Sequence, residues 1–141
     1  MFLRDRDADQ DGVFDEIEDG FIERISVDND EQQASGRSTH PDVSRDGRWV
    51  AFASESGTSA LVSGALGTHV FMRDRQRGVT ALVSHDNEGA AALGDSYRPF
   101  ISRSGRTLVF ETTSTTYDVQ ASPTDVHLGF AENPLWISAG R

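Results

Sequence analysis

One stretch of this chain occurs twice in unbroken register, and that repetition constrains the fold more than any other property of the sequence. Ser26-Val27-Asp28-Asn29-Asp30 returns 58 residues later as Ser84-His85-Asp86-Asn87-Glu88. At the same offset Ala34 matches Ala92, Gly36 matches Gly94, Ser38 matches Ser96 and Pro41 matches Pro99. Ser44-Arg45-Asp46-Gly47-Arg48 then matches Ser102-Arg103-Ser104-Gly105-Arg106, and Phe52 matches Phe110. A unit of this size cannot bury its own apolar face, so successive copies must stack to make a core.

Each copy reads as strands. Trp49-Val50-Ala51-Phe52-Ala53 and Thr107-Leu108-Val109-Phe110-Glu111 are short, rich in β-branched and aromatic residues, and preceded by Asp46-Gly47 or Ser104-Gly105 turns. Phe21 to Val27 alternates well enough for a further strand and forms no helical stripe. Met1-Phe2-Leu3-Arg4-Asp5-Arg6 is similar to Val70-Phe71-Met72-Arg73-Asp74-Arg75, and a degenerate third copy begins at Val126-His127-Leu128 with Gly129-Phe130 in place of Arg-Asp. Two strands, then four, then four are expected. The Ser/Gly-rich run Glu55 to Thr68 and the polar run Thr112 to Thr116 read as loops within units.

Pro41 to Ser54 (Pro-Asp-Val-Ser-Arg-Asp-Gly-Arg-Trp-Val-Ala-Phe-Ala-Ser), followed by Val70 to Arg75, resembles the WD40-like repeats of TolB-type β-propellers. The resemblance covers almost the whole chain. It implies an all-β partial propeller of about two four-stranded antiparallel blades plus an outer hairpin. The hairpin is 1–27, with an acidic loop at 7–18, and the blades are 38–84 and 96–138. It also implies that Pro41-Ser44 and Pro99-Ser102 lie innermost and Thr80-Ser84 outermost. Trp49 is read as a blade-core residue. Two blades and a hairpin do not close a ring of four to eight blades, so the expectation is a piece of a longer gene product or a chain that completes its ring by self-association.

The first copy differs from the second by an insertion in one hairpin, and the insertion is acidic. Eight carboxylates lie between Asp5 and Asp19 against the single Arg6, and so many like charges repel unless they are solvated or share a cation. Asp7, Asp9, Asp11, Asp15 and Glu18 fall at loop positions 1, 3, 5, 9 and 12, with Gly12 at position 6. That pattern suits Ca²⁺, which gathers six to eight oxygens from short side chains converging out of one tight turn. The expected metal ligands are Asp7, Asp9, Asp11, Asp15 and the Val13 carbonyl, with Glu18 either a ligand or a solvated neighbour. Magnesium demands stricter octahedral geometry, and no His or Cys in the loop favours zinc or copper. An EF-hand needs a helix on each side, whereas Met1 to Arg6 matches a strand elsewhere in the chain. The loop is more similar in context to the calcium hairpins of integrin-like propellers. Asp5, whose counterpart Asp74 sits in a copy without an acidic loop, is expected to be structural, paired with Arg4 or Arg6.

Other chemistry finds little support. The net charge of −10 argues against binding nucleic acid through its phosphates. No apolar run reaches eighteen residues, so no membrane span is expected. Met1 to Arg6 has no long apolar stretch, and no secretory signal is expected there. Cysteine is absent, which excludes disulfides and thiolate metal sites. No Gly-x-Ser-x-Gly elbow or phosphate loop occurs, and His40, His69, His85 and His127 read as scattered over different repeat positions. The expectation is a non-enzymatic calcium-binding repeat module for protein or glycan contacts, extracellular or periplasmic, where millimolar calcium would fill a loop of modest affinity. The alternatives are the propeller portion of a larger hydrolase or peptidase whose catalytic domain lies elsewhere, and an EF-hand sensor.

Overall fold

A computed structural model of the chain describes residues 1–9, 11–15, 20–55, 61, 66–117 and 126–136. Among these residues there is no helix, and nine strands form three antiparallel sheets of two, four and three strands. The first sheet is the hairpin β1 (Phe2–Asp5) and β2 (Phe21–Arg24). The second runs in chain order through β3 (Ser38–Val43), β4 (Trp49–Glu55), β5 (Thr68–Asp74) and β6 (Val79–Leu82). The third holds β7 (Ser96–Ile101), β8 (Thr107–Thr112) and β9 (His127–Glu132). The chain is therefore all-β, in an order compatible with a partial propeller. A fourth strand in the last sheet would lie, by the repeat offset, at 137–140, outside the described residues.

Side chains at repeated positions make the same local bonds in both copies. Ser44 Oγ accepts the Trp49 N–H at 3.0 Å, and Ser102 Oγ accepts the Thr107 N–H at 3.1 Å, so each serine ties the turn to the strand after it. Asp28 Oδ1 accepts the N–H groups of Asp30 and Gln32 (2.9 and 2.7 Å), and Asp86 Oδ1 those of Glu88 and Ala90 (both 2.9 Å). These Asx-type turns explain why the Asp-Asn pair recurs. His40 and Arg98 share a left-handed φ of 51° where β3 and β7 each shift register before a proline. Pro41 and Pro99 sit on edge strands at these bulges, where a missing N–H is tolerated.

The sheets stack face on face, with the second in the middle. Six of the seven β4 residues are buried, because both of its faces are covered. One face contributes Val50, Phe52 and Phe71, which pack with Ile25 and with Met1 and Leu3 of the first sheet. The other contributes Trp49, Ala51, Val70 and Met72, packed against Leu108 and Phe110 with Ile101 and Ala131 of the third. Trp49 is buried in the core at this boundary, and the Arg45 N–H donates to the Arg103 carbonyl at 3.0 Å across it.

The pairing corrects the alignment of the third copy by two residues. Val50 pairs with Arg73 and Leu108 with Ala131, so the 58-residue register continues unbroken through β9. The counterpart of Phe71 is thus Gly129, and that of Asp74 is Glu132. The phenyl ring of Phe110 would lie 2.4 Å from a Cβ at Gly129, so the glycine is where this ring packs over β9. Phe52 instead stacks on Phe71, with centroids 5.7 Å apart. His69 and His127 also turn out to share one repeat position, opposite Ser54 and Thr112, rather than different ones.

Candidate metal centre

The inserted loop leaves β1 at Asp5 and is closed at its neck by a backbone bond from the Asp15 N–H to the Arg6 carbonyl (2.8 Å). Strands, not helices, flank it. Between these ends the chain must turn sharply, and Gly12 adopts φ of 89°, a conformation that costs a residue with Cβ dearly.

Three of the expected ligands converge. Asp7, Asp9 and Asp11 place one carboxylate oxygen each within 4.8 Å of one another, so the cluster could hold a metal ion. The loop's own backbone aims them: Asp7 Oδ2 accepts the Gly12 N–H (3.2 Å), Asp9 Oδ1 the Asp11 N–H (3.3 Å) and Asp11 Oδ1 the Val13 N–H (2.8 Å). Alternation of short acids and a glycine bend therefore gathers the carboxylates mainly through bonds within the loop. Asp7 Oδ1 is buried and has no hydrogen-bond partner among the described residues. An ionised oxygen in that position is costly unless an ion or water satisfies it. This orphaned acceptor is the observation that best fits a cation.

The remaining expected ligands are placed differently. Asp15, at φ of 63°, is turned toward arginine: Arg6 Nε and Nη2 donate to Oδ2 at 2.9 and 2.5 Å, and Arg4 Nη2 lies 3.1 Å from Oδ1. The Arg6 hydrogen bonds hold the Asp15 carboxyl below the usual carboxylate range, aided by the charges of both arginines. Val13 is exposed within the turn. Glu18 lies outside the described residues. Contrary to the expectation from sequence, Asp5 pairs with neither Arg4 nor Arg6. Asp15 takes both arginines, and Asp5 Oδ1 accepts the Asp7 N–H at 3.3 Å, bracing the first loop acid. Arg4 and Arg6, two residues apart at the end of β1, were the available signal for that ion pair.

His69, read from sequence as one of four scattered histidines, is fully buried. Its Nε2 lies 3.2 Å from the Leu66 carbonyl and its Nδ1 3.4 Å from Ser84 Oγ. Burial pushes its pKa down, against the opposing pull of the Leu66 carbonyl and the Asp95 charge. With the folded pKa below the unfolded value of about 6.5, the unfolded chain takes up a proton first. Stability is therefore expected to decline as pH falls below about 6.5, and His69→Gln should flatten that slope in urea melts between pH 7 and pH 5. An unchanged slope would show that His69 accepts a proton without cost. No helix of the described residues is long and apolar enough to cross a membrane. Comparisons of the chain with protein-family models, curated proteins and solved structures find no match.

Proposed function

We propose that this chain is a non-catalytic, calcium-binding repeat module of the TolB-like propeller type, stabilised by a cation in the 7–18 loop. The observation that carries the reading is the convergence of Asp7, Asp9 and Asp11, together with the buried Asp7 Oδ1 that has no hydrogen-bond partner among the described residues. Hard oxygens alone suit Ca²⁺ better than a metal that prefers nitrogen or sulfur. Asp15, at the neck of the loop, would have to exchange Arg4 and Arg6 for the cation, and with Val13 and Glu18 it completes the proposed donor set. In this reading the loop is a fastener: it fixes the long β1–β2 hairpin and so orders the first sheet against the second. The faces and loops so held would serve protein or glycan contacts in an extracellular or periplasmic setting. There a dissociation constant of about 10⁻⁴–10⁻³ M would suffice for occupancy.

Calorimetric titration of chelator-treated protein tests the site directly. Calcium should bind with measurable heat, and at ten times the dissociation constant should stabilise the fold by about 1.4 kcal/mol. The double change Asp9→Ala, Asp11→Ala should abolish both effects, whereas Asp86→Ala, in the Asx-type turn, should leave the heat intact. No heat and no shift in melting temperature with the unaltered chain would refute the proposal.

A further inference from the structure

The two outer faces of the stack of sheets continue an interface that the chain already makes once inside itself. Within the second sheet, Ala51, Val70 and Met72 bury against the third sheet. Their counterparts 58 residues on are Val109, Leu128 and Phe130, and these lie on the far face of the third sheet. There they are exposed by 36, 77 and 71 %. Phe100 pairs with Val109, which pairs with Phe130, so the three side chains share one face and form a contiguous apolar strip.

The opposite end of the stack shows the complementary surface. Phe71 and its neighbours on the second sheet are covered by Met1 and Leu3 of the first. The residue of β1 that corresponds to Phe71 is Phe2, and it faces away, 61 % exposed, beside Ile22 at 64 %. Register places Phe2 opposite Arg24 and Arg4 opposite Ile22, so these four residues share the outer face. The Arg24 guanidinium covers part of the Phe2 ring, 4.7 Å from its centroid. One end of the molecule thus presents the face that a preceding sheet would cover, and the other end presents the face that a following sheet would cover. Exposed apolar strips of this kind, rimmed by charge, mark association surfaces.

We infer that a second copy of this chain docks head to tail, the Phe2–Ile22 face of one copy on the Val109–Leu128–Phe130 face of another. The contact is heterologous, since the two surfaces differ, and it closes on itself or propagates according to the rotation per copy. It reuses the packing of the second sheet on the third. On the second surface Glu111 and Glu132 are already paired with Arg98 and Arg106, so apolar packing in the repeat register, rather than charge, carries the contact, and the difference between the two surfaces sets its direction.

Two single-residue variants test this, because each spoils one surface only. Sedimentation velocity of the unaltered chain in the micromolar range should show dimers or larger multiples. Ile22→Asp and Phe130→Asp alter exposed side chains, and each alone should be monomeric, weakening association about tenfold or more, with circular dichroism and melting unchanged. An equimolar mixture of the two should associate again as a one-to-one pair, since each contributes its intact surface. A monomeric unaltered chain would overturn the proposal. So would single variants that still self-associate, or a mixture that stays monomeric while the unaltered chain does not.

Discussion

Replacing Arg48 by methionine is expected to lower the stability of the fold by about 3 kcal/mol, a fall in melting temperature of roughly 9–12 °C. Arg48 Nε and Nη2 donate to the two oxygens of Asp74 at 3.0 and 2.8 Å, and Asp74 is fully buried while Arg48 is partly exposed. Removing the arginine leaves an ionised carboxylate inside the protein with only the Gln76 and Arg77 backbone N–H groups to satisfy it. Burial works to raise the Asp74 pKa, yet the Arg48 hydrogen bonds and charge outweigh it and hold the group below its ordinary value. The pair's contribution is thus complete above the unfolded carboxyl's pKa, about 3.9, and is lost as pH falls through the folded value. Without Arg48 only those two backbone bonds oppose burial, so the carboxyl pKa rises and acid relieves the variant. The gap between the two proteins should therefore shrink between pH 7 and pH 3 in urea melts. Arg106→Met is the control. Its partner at the same repeat position is Glu132, 3.8 Å away, with both side chains largely exposed, and such a pair is worth less than about 1 kcal/mol. Equal costs for the two substitutions, or a gap independent of pH, would refute the account.

That one ion pair is buried and its repeat is not shows where the sequence stopped being informative. The repeat made the strands legible, because identical turn serines and glycines at a fixed spacing can be recognised without knowing their environment. The loop was legible for the same reason: its geometry is local, each carboxylate being aimed by an N–H two or five residues on. What depends on packing between units was not. The third copy was misaligned by two residues because Gly129 and Phe130 do not look like Phe71 and Met72. Only the ring of Phe110 over Gly129 and the ladder of β8 on β9 restore the register. The pairing of Asp15 with Arg4 and Arg6, in place of Asp5, is likewise a matter of which way the loop neck folds. The shared position of His69 and His127 was hidden by the same misalignment.

The two turn glycines allow the contact between sheets to be separated from the strain of the turn itself. Gly47 and Gly105 occupy the same repeat position, and their φ angles, 71° and 77°, are nearly equal. An alanine at either must bear the left-handed conformation, at a cost of about 1–2 kcal/mol. At Gly47 the nearest atom to an added Cβ is the end of the flexible Arg75 side chain, 3.5 Å away, so nothing further is expected. At Gly105 the added Cβ would sit 2.1 Å from Cδ1 of Trp49, the buried residue at the boundary of the second and third sheets. The indole cannot yield easily, because Arg48 lies over it at 4.4 Å and Trp136 packs against it at 5.9 Å. Overpacking of that kind adds about 1–3 kcal/mol. Gly105→Ala should therefore cost more than Gly47→Ala by about that amount, a further fall of roughly 3–12 °C in melting temperature. Introducing Trp49→Leu should remove the excess, making the two alanine substitutions alike, and the double-mutant cycle then gives the coupling between the sheets. If Gly105→Ala costs no more than Gly47→Ala in the parent protein, the third sheet does not press on Trp49, and the stacked arrangement of the two sheets fails with it.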